Sequence, residues 1–243
     1  MKNKKLRKRC EGYLYVAPWL FGFIVLTLIP FLCLIYFSLT EYNMLSVPKW
    51  NGIQNYIEIF TKDKKFIASL KVTFLYVLVS VPLKLLAALL VAMLLNQKRR
   101  GIGIYRTLFY IPSIIGGSVA VAVMWRNLFS RSGAFNALIT AVTGINMDIS
   151  WVADPRTALG SLILMAIWQF GSPMLIFLAG LKNISSTYYE AATVDGANKV
   201  QCFFSITLPM LSPIIFFNLI MQMINSFMTF TQGLVVTNRS EEH

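Results

Sequence analysis

A chain of 243 residues that is 56% hydrophobic and only 13% charged does not fit an ordinary soluble domain, whose wet surface calls for roughly a quarter charged residues. Its net charge of +12 comes from short Lys/Arg runs set between long apolar blocks, which is the pattern of an anchored membrane protein rather than of a basic face for nucleic acid. Three scattered cysteines (Cys10, Cys33, Cys202) and a single terminal His243 suggest no disulfide framework, no metal site and no imidazole catalysis.

In chain order, a basic tail (1–13) precedes a first apolar span at 14–39, too long for a signal-peptide core. An external segment follows at 40–69, with Trp50, Tyr56 and Phe60 suited to a membrane interface. Further spans are expected at about 70–95, 107–128, 157–181 and 210–236, each long enough to cross roughly 30 Å of hydrocarbon. The third carries Pro112 and Gly116-Gly117 inside it, breakers that membrane helices tolerate where neighbours satisfy the backbone. A loop at 129–156 separates the third and fourth spans, a polar loop at 182–209 separates the fourth and fifth, and a short external tail (237–243) ends the chain. The expected fold is an all-α polytopic helical bundle with five spans.

Twelve Lys/Arg fall on the side of the N-terminal tail and nine on the other, so the N-terminus is expected in the cytoplasm. All ten carboxylates lie outside the five apolar runs. Ion-coupled carriers usually hold an acid at membrane depth, so energy is expected to enter from outside the bilayer. No Gly-x-x-x-x-Gly-Lys-Ser/Thr loop is present; any ATP and magnesium therefore belong to another polypeptide, and this chain is expected to hold no catalytic residue and no cofactor.

In the fifth span Asn218, Gln222, Asn225, Thr229 and Gln232 recur at intervals of 4, 3, 4 and 3, one stripe of a helix. Neutral amides and hydroxyls suit a polyhydroxylated solute; they equally suit helix–helix packing. Trp168 and Gln169 in the fourth span are further path candidates, with packing as the alternative. Lys84 is the one charge well inside a span, and its role stays open.

The 182–209 loop contains Tyr189-Glu190-Ala191-Ala192-Thr193-Val194-Asp195-Gly196, then nine residues, then Ile206-Thr207-Leu208-Pro209. Thr187 with Glu190 reads as a capping box opening a short helix near Tyr188, and Gly196 as the left-handed residue that closes it. Asn198 with Gln201 reads as the cap of a second short helix, with Pro209 separating it from the next span. This run resembles the Glu-Ala-Ala loop of ABC importer permeases, matching every fixed position of E-A-A, three residues, G, nine residues, I-x-L-P. Tyr105-Arg106-Thr107-Leu108-Phe109-Tyr110-Ile111-Pro112, Met124-to-Phe129 and Ala17-Pro18-Trp19 resemble the sugar-uptake (maltose-type) group.

The resemblance implies a type I importer permease in a bacterial plasma membrane, carrying a carbohydrate, with an oligosaccharide expected and glycerol phosphates or another polar solute as the alternative cargo. It implies a second permease, two ATPase subunits and an extracellular solute-binding protein as partners. Tyr189, Glu190, Ala191, Ala192, Asp195, Gly196, Ile206, Leu208 and Pro209 are then the residues that meet the ATPase. The alternatives are a secondary carrier for a small polar solute and an inactive truncated permease. The family's external T-x-G-G-P-like segment and sixth helix do not follow Thr237-Asn238, so a truncated or incomplete chain is expected ahead of a five-helix variant.

Overall fold

The computed structural model describes Tyr13 and residues 15–43, 47–97, 100–145 and 148–229; both chain ends, including Gln232 and the last part of the expected fifth span, lie outside the described residues. Two compact units divide at residue 70.

In the first unit, α1 (Tyr15–Ser38) is a 24-residue apolar helix with its side chains exposed. Its turn at Ile24–Leu28 is π-helical and leads into Pro30. Proline brings no N–H and crowds the carbonyl one turn back, and the widened turn relieves both. Two short strands, β1 (Thr40–Glu41) and β2 (Lys49–Trp50), pair antiparallel. Asn55, in α2 (Gln54–Thr61), donates from Nδ2 to the Ser38 and Thr40 carbonyls, both at 3.0 Å, and fastens this hairpin to the end of α1. The segment expected as an external loop therefore holds ordered structure, and the next helix starts early. That helix, α3 (Lys64–Leu95), is capped where the Asp63 carboxylate accepts from the Phe66 N–H at 2.9 Å.

The second unit is built on α3. Val77, Val81, Leu85, Ala88, Leu89, Ala92 and Leu95 form its buried face. They recur at three and four residues, so the helix shows one stripe to the core and the rest to lipid. Against that stripe pack Met174, Phe177, Leu178 and Leu181 of α8 (Gly171–Asn183) and Leu211 of α10 (Lys199–Phe227).

The third expected span is not one rod. Helices α4 (Ile102–Ile115) and α5 (Val119–Leu128) meet at 99°. Gly116 and Gly117 provide the break, and Ser118 restarts the chain by accepting from the Val121 N–H at 3.3 Å. The fourth is also broken, with α7 (Ala158–Trp168) and α8 inclined at 43°. Between the third and fourth spans the expected loop contains α6 (Ala134–Thr143), held by an aromatic block. Trp125 stacks on Phe129 at 5.1 Å, and Phe135 meets Trp151 edge-on at 5.2 Å. Buried Asn136 donates to the Arg131 and Ile149 carbonyls, and its Oδ1 accepts from the Trp151 indole at 2.6 Å.

Candidate functional site

The segment joining α8 to α10 begins with α9 (Ser186–Val194). Its cap is Ser185, not Thr187. Ser185 has extended backbone angles and its hydroxyl accepts from the Thr187 N–H at 3.3 Å, which leaves Thr187 inside the helix. The end is as expected: Gly196 adopts φ +78°, and the Ala197 N–H reaches back to the Ala192 carbonyl at 2.9 Å. Asn198 and Gln201 then form a reciprocal capping box, with bonds of 2.8 and 2.9 Å.

The second short helix, however, is not separate. It is the first turn of α10, which runs unbroken from Lys199 to Phe227. Pro209 does not interrupt it, because the turn Phe203–Thr207 is π-helical and makes room for the ring, as the turn before Pro30 does in α1. One bond ties the two arms together: the Tyr189 and Thr207 hydroxyls lie 2.8 Å apart, with Thr207 buried.

Of the expected docking residues, Glu190, Ala191, Asp195, Gly196 and Pro209 are exposed, and Tyr189, Ala192, Ile206 and Leu208 are partly buried. Neither Glu190 nor Asp195 is ion-paired among the described residues. Val194 is 88% exposed and Tyr188 and Phe204 also face outward. The arm is thus short and capped, and it leaves two acids unpaired and several apolar side chains uncovered among the described residues. Beside it lies a cavity of about 780 Å³ lined by Asn96, Gln97, Arg100, Arg106, Lys182 and Tyr189 among others. Arg106 closes one wall, its Nη2 donating to the Leu95 carbonyl at 3.0 Å.

The polar stripe of α10 divides in two. Asn218 and Gln222 are buried, and both amide atoms of Asn218 lack a partner among the described residues. Asn225 and Thr229 are exposed, with the Thr229 hydroxyl donating to the Asn225 carbonyl at 3.0 Å. Trp168 and Gln169 mainly brace the third span. Trp168 meets Trp125 edge-on at 5.5 Å, and Gln169 Nε2 reaches the Gly116 carbonyl at 3.5 Å.

Sequence reasoning missed Ser113. Its hydroxyl donates to the Gln169 carbonyl at 2.9 Å and accepts from the Ser172 N–H at 3.0 Å, so one side chain joins the breaks in both bent spans. It also missed Gly171, where a Cβ would sit 2.5 Å from the Phe109 carbonyl oxygen. A serine and a glycine at helix breaks give no signal in one sequence; their need appears only when the partner backbone is in place. Lys84 is partly buried on α3, near mid-span, where a charged side chain costs about 3 kcal/mol.

Long apolar helices, two of them broken, and a capped arm between the last two spans define a polytopic helical membrane protein. The chain belongs to the family of binding-protein-dependent transport system inner membrane components, whose model matches residues 59–241. It is 55% identical over 237 residues to the probable ABC transporter permease protein YesP of Bacillus subtilis (strain 168), covering 97% of this chain and 76% of that protein. It is 32% identical over 231 residues to the lactose transport system permease protein LacF of Rhizobium radiobacter, covering 92% and 76%. The fold matches that of a bacterial ABC transporter involved in the import of the acidic polysaccharide alginate, with a TM-score of 0.78 at 20% identity over 96% of this chain and 79% of that one. The chain is thus a multi-pass permease of the sugar-uptake group of ABC importers, in the bacterial inner membrane.

Proposed function

We propose that this permease lines part of the passage for an oligosaccharide and is moved by a separate ATPase that grips α9. The observation that carries the reading is the build of the 185–209 arm. The starts of its two helices are capped by their own side chains, Gly196 sets the bend, and one hydroxyl pair pins α9 to the start of α10. An arm that rigid transmits a push to α10 as a unit. Glu190 and Asp195, exposed and unpaired among the described residues, are free to meet basic groups of the ATPase. Ala191 and Ala192 keep the surface low enough for close approach.

On this reading the N-terminus and the arm face the cytoplasm, a second permease completes the passage, and two ATPase subunits and an extracellular solute-binding protein complete the machine. The lactose permease among its relatives supports a carbohydrate cargo, and the stripe from Asn218 to Thr229 supplies the neutral hydrogen-bonding groups that sugar hydroxyls need.

The test uses the full-length permease assembled with its partners in proteoliposomes. Gly196→Val forces a β-branched residue into a left-handed conformation, so solute uptake is expected to fall more than tenfold while ATP hydrolysis continues or the ATPase fails to co-purify. Undiminished, ATP-dependent uptake in that variant overturns the coupling role. Orientation is read separately by placing a cysteine at Thr193 in a cysteine-free background: labelling only from outside intact cells overturns the assigned topology.

A further inference from the structure

Lys84 lies eleven residues from the Leu95 end of α3 and twenty from the Lys64 end. At 1.5 Å per residue these are about 16 and 30 Å, against a lysine reach of about 6 Å, so the ammonium does not snorkel to either membrane surface. Among the described residues no carboxylate pairs with it; the ion pair there joins Lys62 and Glu58. All ten carboxylates of the chain lie outside the five apolar runs. No residue described in the structure is therefore the source of its counter-charge.

The surroundings of Lys84 favour a passing solute as that source. Tyr76, Ser80 and Lys84 stand four residues apart and form one ridge of α3. The first of them, Tyr76, lies against both Ser80 and Thr229, the last described member of the α10 stripe. Helices α3 and α10 run antiparallel: Phe74 meets Phe227 at 5.4 Å, while Met93 and Asn96 share a cavity with Cys202 and Thr207. Ten residues along from Phe74 and nine back from Phe227, Lys84 and Asn218 come to the same depth, and there Asn218 is fully buried with both amide atoms unpartnered. One cation and one unsatisfied amide thus share a level of the bundle, at the end of a ridge that starts on the polar stripe.

We propose that Lys84 is the transient counter-charge for an acidic sugar, so that the solute carried by this permease bears a carboxylate or another anionic group beside its hydroxyls. The proposal rests on the carbohydrate passage described above. A permanent partner for the lysine would leave it neutralised; a solute that arrives and departs pairs with it only in transit. Hydroxyls are matched by the amides and by Tyr76 and Ser80, and the anion by the ammonium.

The experiment compares a uronate-containing disaccharide with the same disaccharide after its carboxyl is reduced to an alcohol, using the full-length permease in its complete transporter. Wild-type uptake of the acidic probe is expected to exceed that of the reduced one at least tenfold. Lys84→Gln is expected to lower acidic uptake at least tenfold with the complex still co-purifying, and Lys84→Arg to stay within threefold of wild type. Acidic uptake by Lys84→Gln equal to wild type overturns the proposal. Uptake of the reduced probe alone overturns it too but leaves the carbohydrate passage standing, whereas uptake of neither probe removes both. Loss of the second permease or the ATPase from purified Lys84→Gln makes the lysine an inter-subunit contact, which also overturns the proposal.

Discussion

The 185–209 arm and the interior of the second unit are held by different physics. The arm is shaped by bonds between residues close in sequence: Ser185 to Thr187, Asn198 to Gln201, Ala197 to Ala192. The interior is shaped by which helices touch, through Gly171 against the α4 backbone, Gly180 against Leu211 and Ile214, and Ser113 across two helix breaks. Local bonds make an arm that keeps its form while its outer face stays uncovered. Close approaches make a bundle in which a single added methyl group is felt by a neighbouring helix. Substitutions in the two regions should therefore fail in different ways.

The largest effect is expected at Gly171. A Cβ there sits 2.5 Å from the Phe109 carbonyl oxygen and 2.8 Å from the Tyr110 Cα, both backbone atoms that have no rotamer to escape into. Gly171→Val is expected to destabilise the bundle by about 3 kcal/mol, the upper end of overpacking penalties, or to prevent accumulation in the membrane. Thermal unfolding in detergent checks it; a midpoint equal to wild type shows that α4 and α8 separate more easily than their packing indicates.

Asn218 sharpens the comparison in the opposite direction. Its buried amide makes no hydrogen bond among the described residues, and leaving such a group unpaired costs about 1–3 kcal/mol. Asn218→Leu is therefore expected to hold or raise the unfolding midpoint while lowering uptake of the sugar. A fall in stability instead identifies Asn218 as a packing residue, and the stripe as glue between helices.

The same division decides what a single sequence reveals. Apolar runs place the spans because lipid imposes a length on each of them, and the Gly196 turn and the Asn198–Gln201 box are legible because a cap needs only residues within four positions. The breaks are harder to read. Pro112 and Gly116-Gly117 mark a weak point in the third span, yet the 99° angle there follows from how α5 packs in the aromatic block around Phe129. Pro209 misleads for the converse reason: its ring suggests a boundary, but a π turn absorbs it at no loss of continuity. The fifth-span stripe is regular in sequence, while the burial of Asn218 and Gln222 and the exposure of Asn225 and Thr229 are set by packing against other helices, which the spacing alone does not carry. In sequence, Thr187 with Glu190 is the fuller capping motif and lies two residues after Ser185. The backbone chose the extended residue nearest the end of α8, where a helix must start to clear it.

Within the arm, Asn198→Ala removes the side-chain acceptor of the Gln201 N–H, leaves the backbone N–H at 198 free to donate to Gln201 Oε1, and is expected to cost about 1 kcal/mol. Because α10 continues through this turn into the membrane, the loss should appear as fraying of its first turn rather than as unfolding. Faster amide exchange over 198–202, with an unchanged overall midpoint, is the expected signature; a lowered midpoint shows that the cap supports the whole helix.

Tyr189→Phe is the gentlest test and the most specific one. It deletes a single hydroxyl, the one that lies 2.8 Å from Thr207 Oγ1. Thr207 is buried, but its hydroxyl keeps a second acceptor, the Cys202 carbonyl at 3.4 Å, so no donor is stranded and the penalty should be about 0.5–1 kcal/mol. The ring itself stays in place beside Thr193 and Phe203. What changes is the only side-chain bond between α9 and the π turn of α10 among the described residues. If the arm moves α10 as a rigid lever, loosening that bond should reduce uptake per ATP hydrolysed severalfold while assembly and stability stay near wild type. An unchanged ratio of uptake to hydrolysis means that force enters α10 through the backbone between Gly196 and Lys199 alone, and that the hydroxyl pair serves only to hold the arm down.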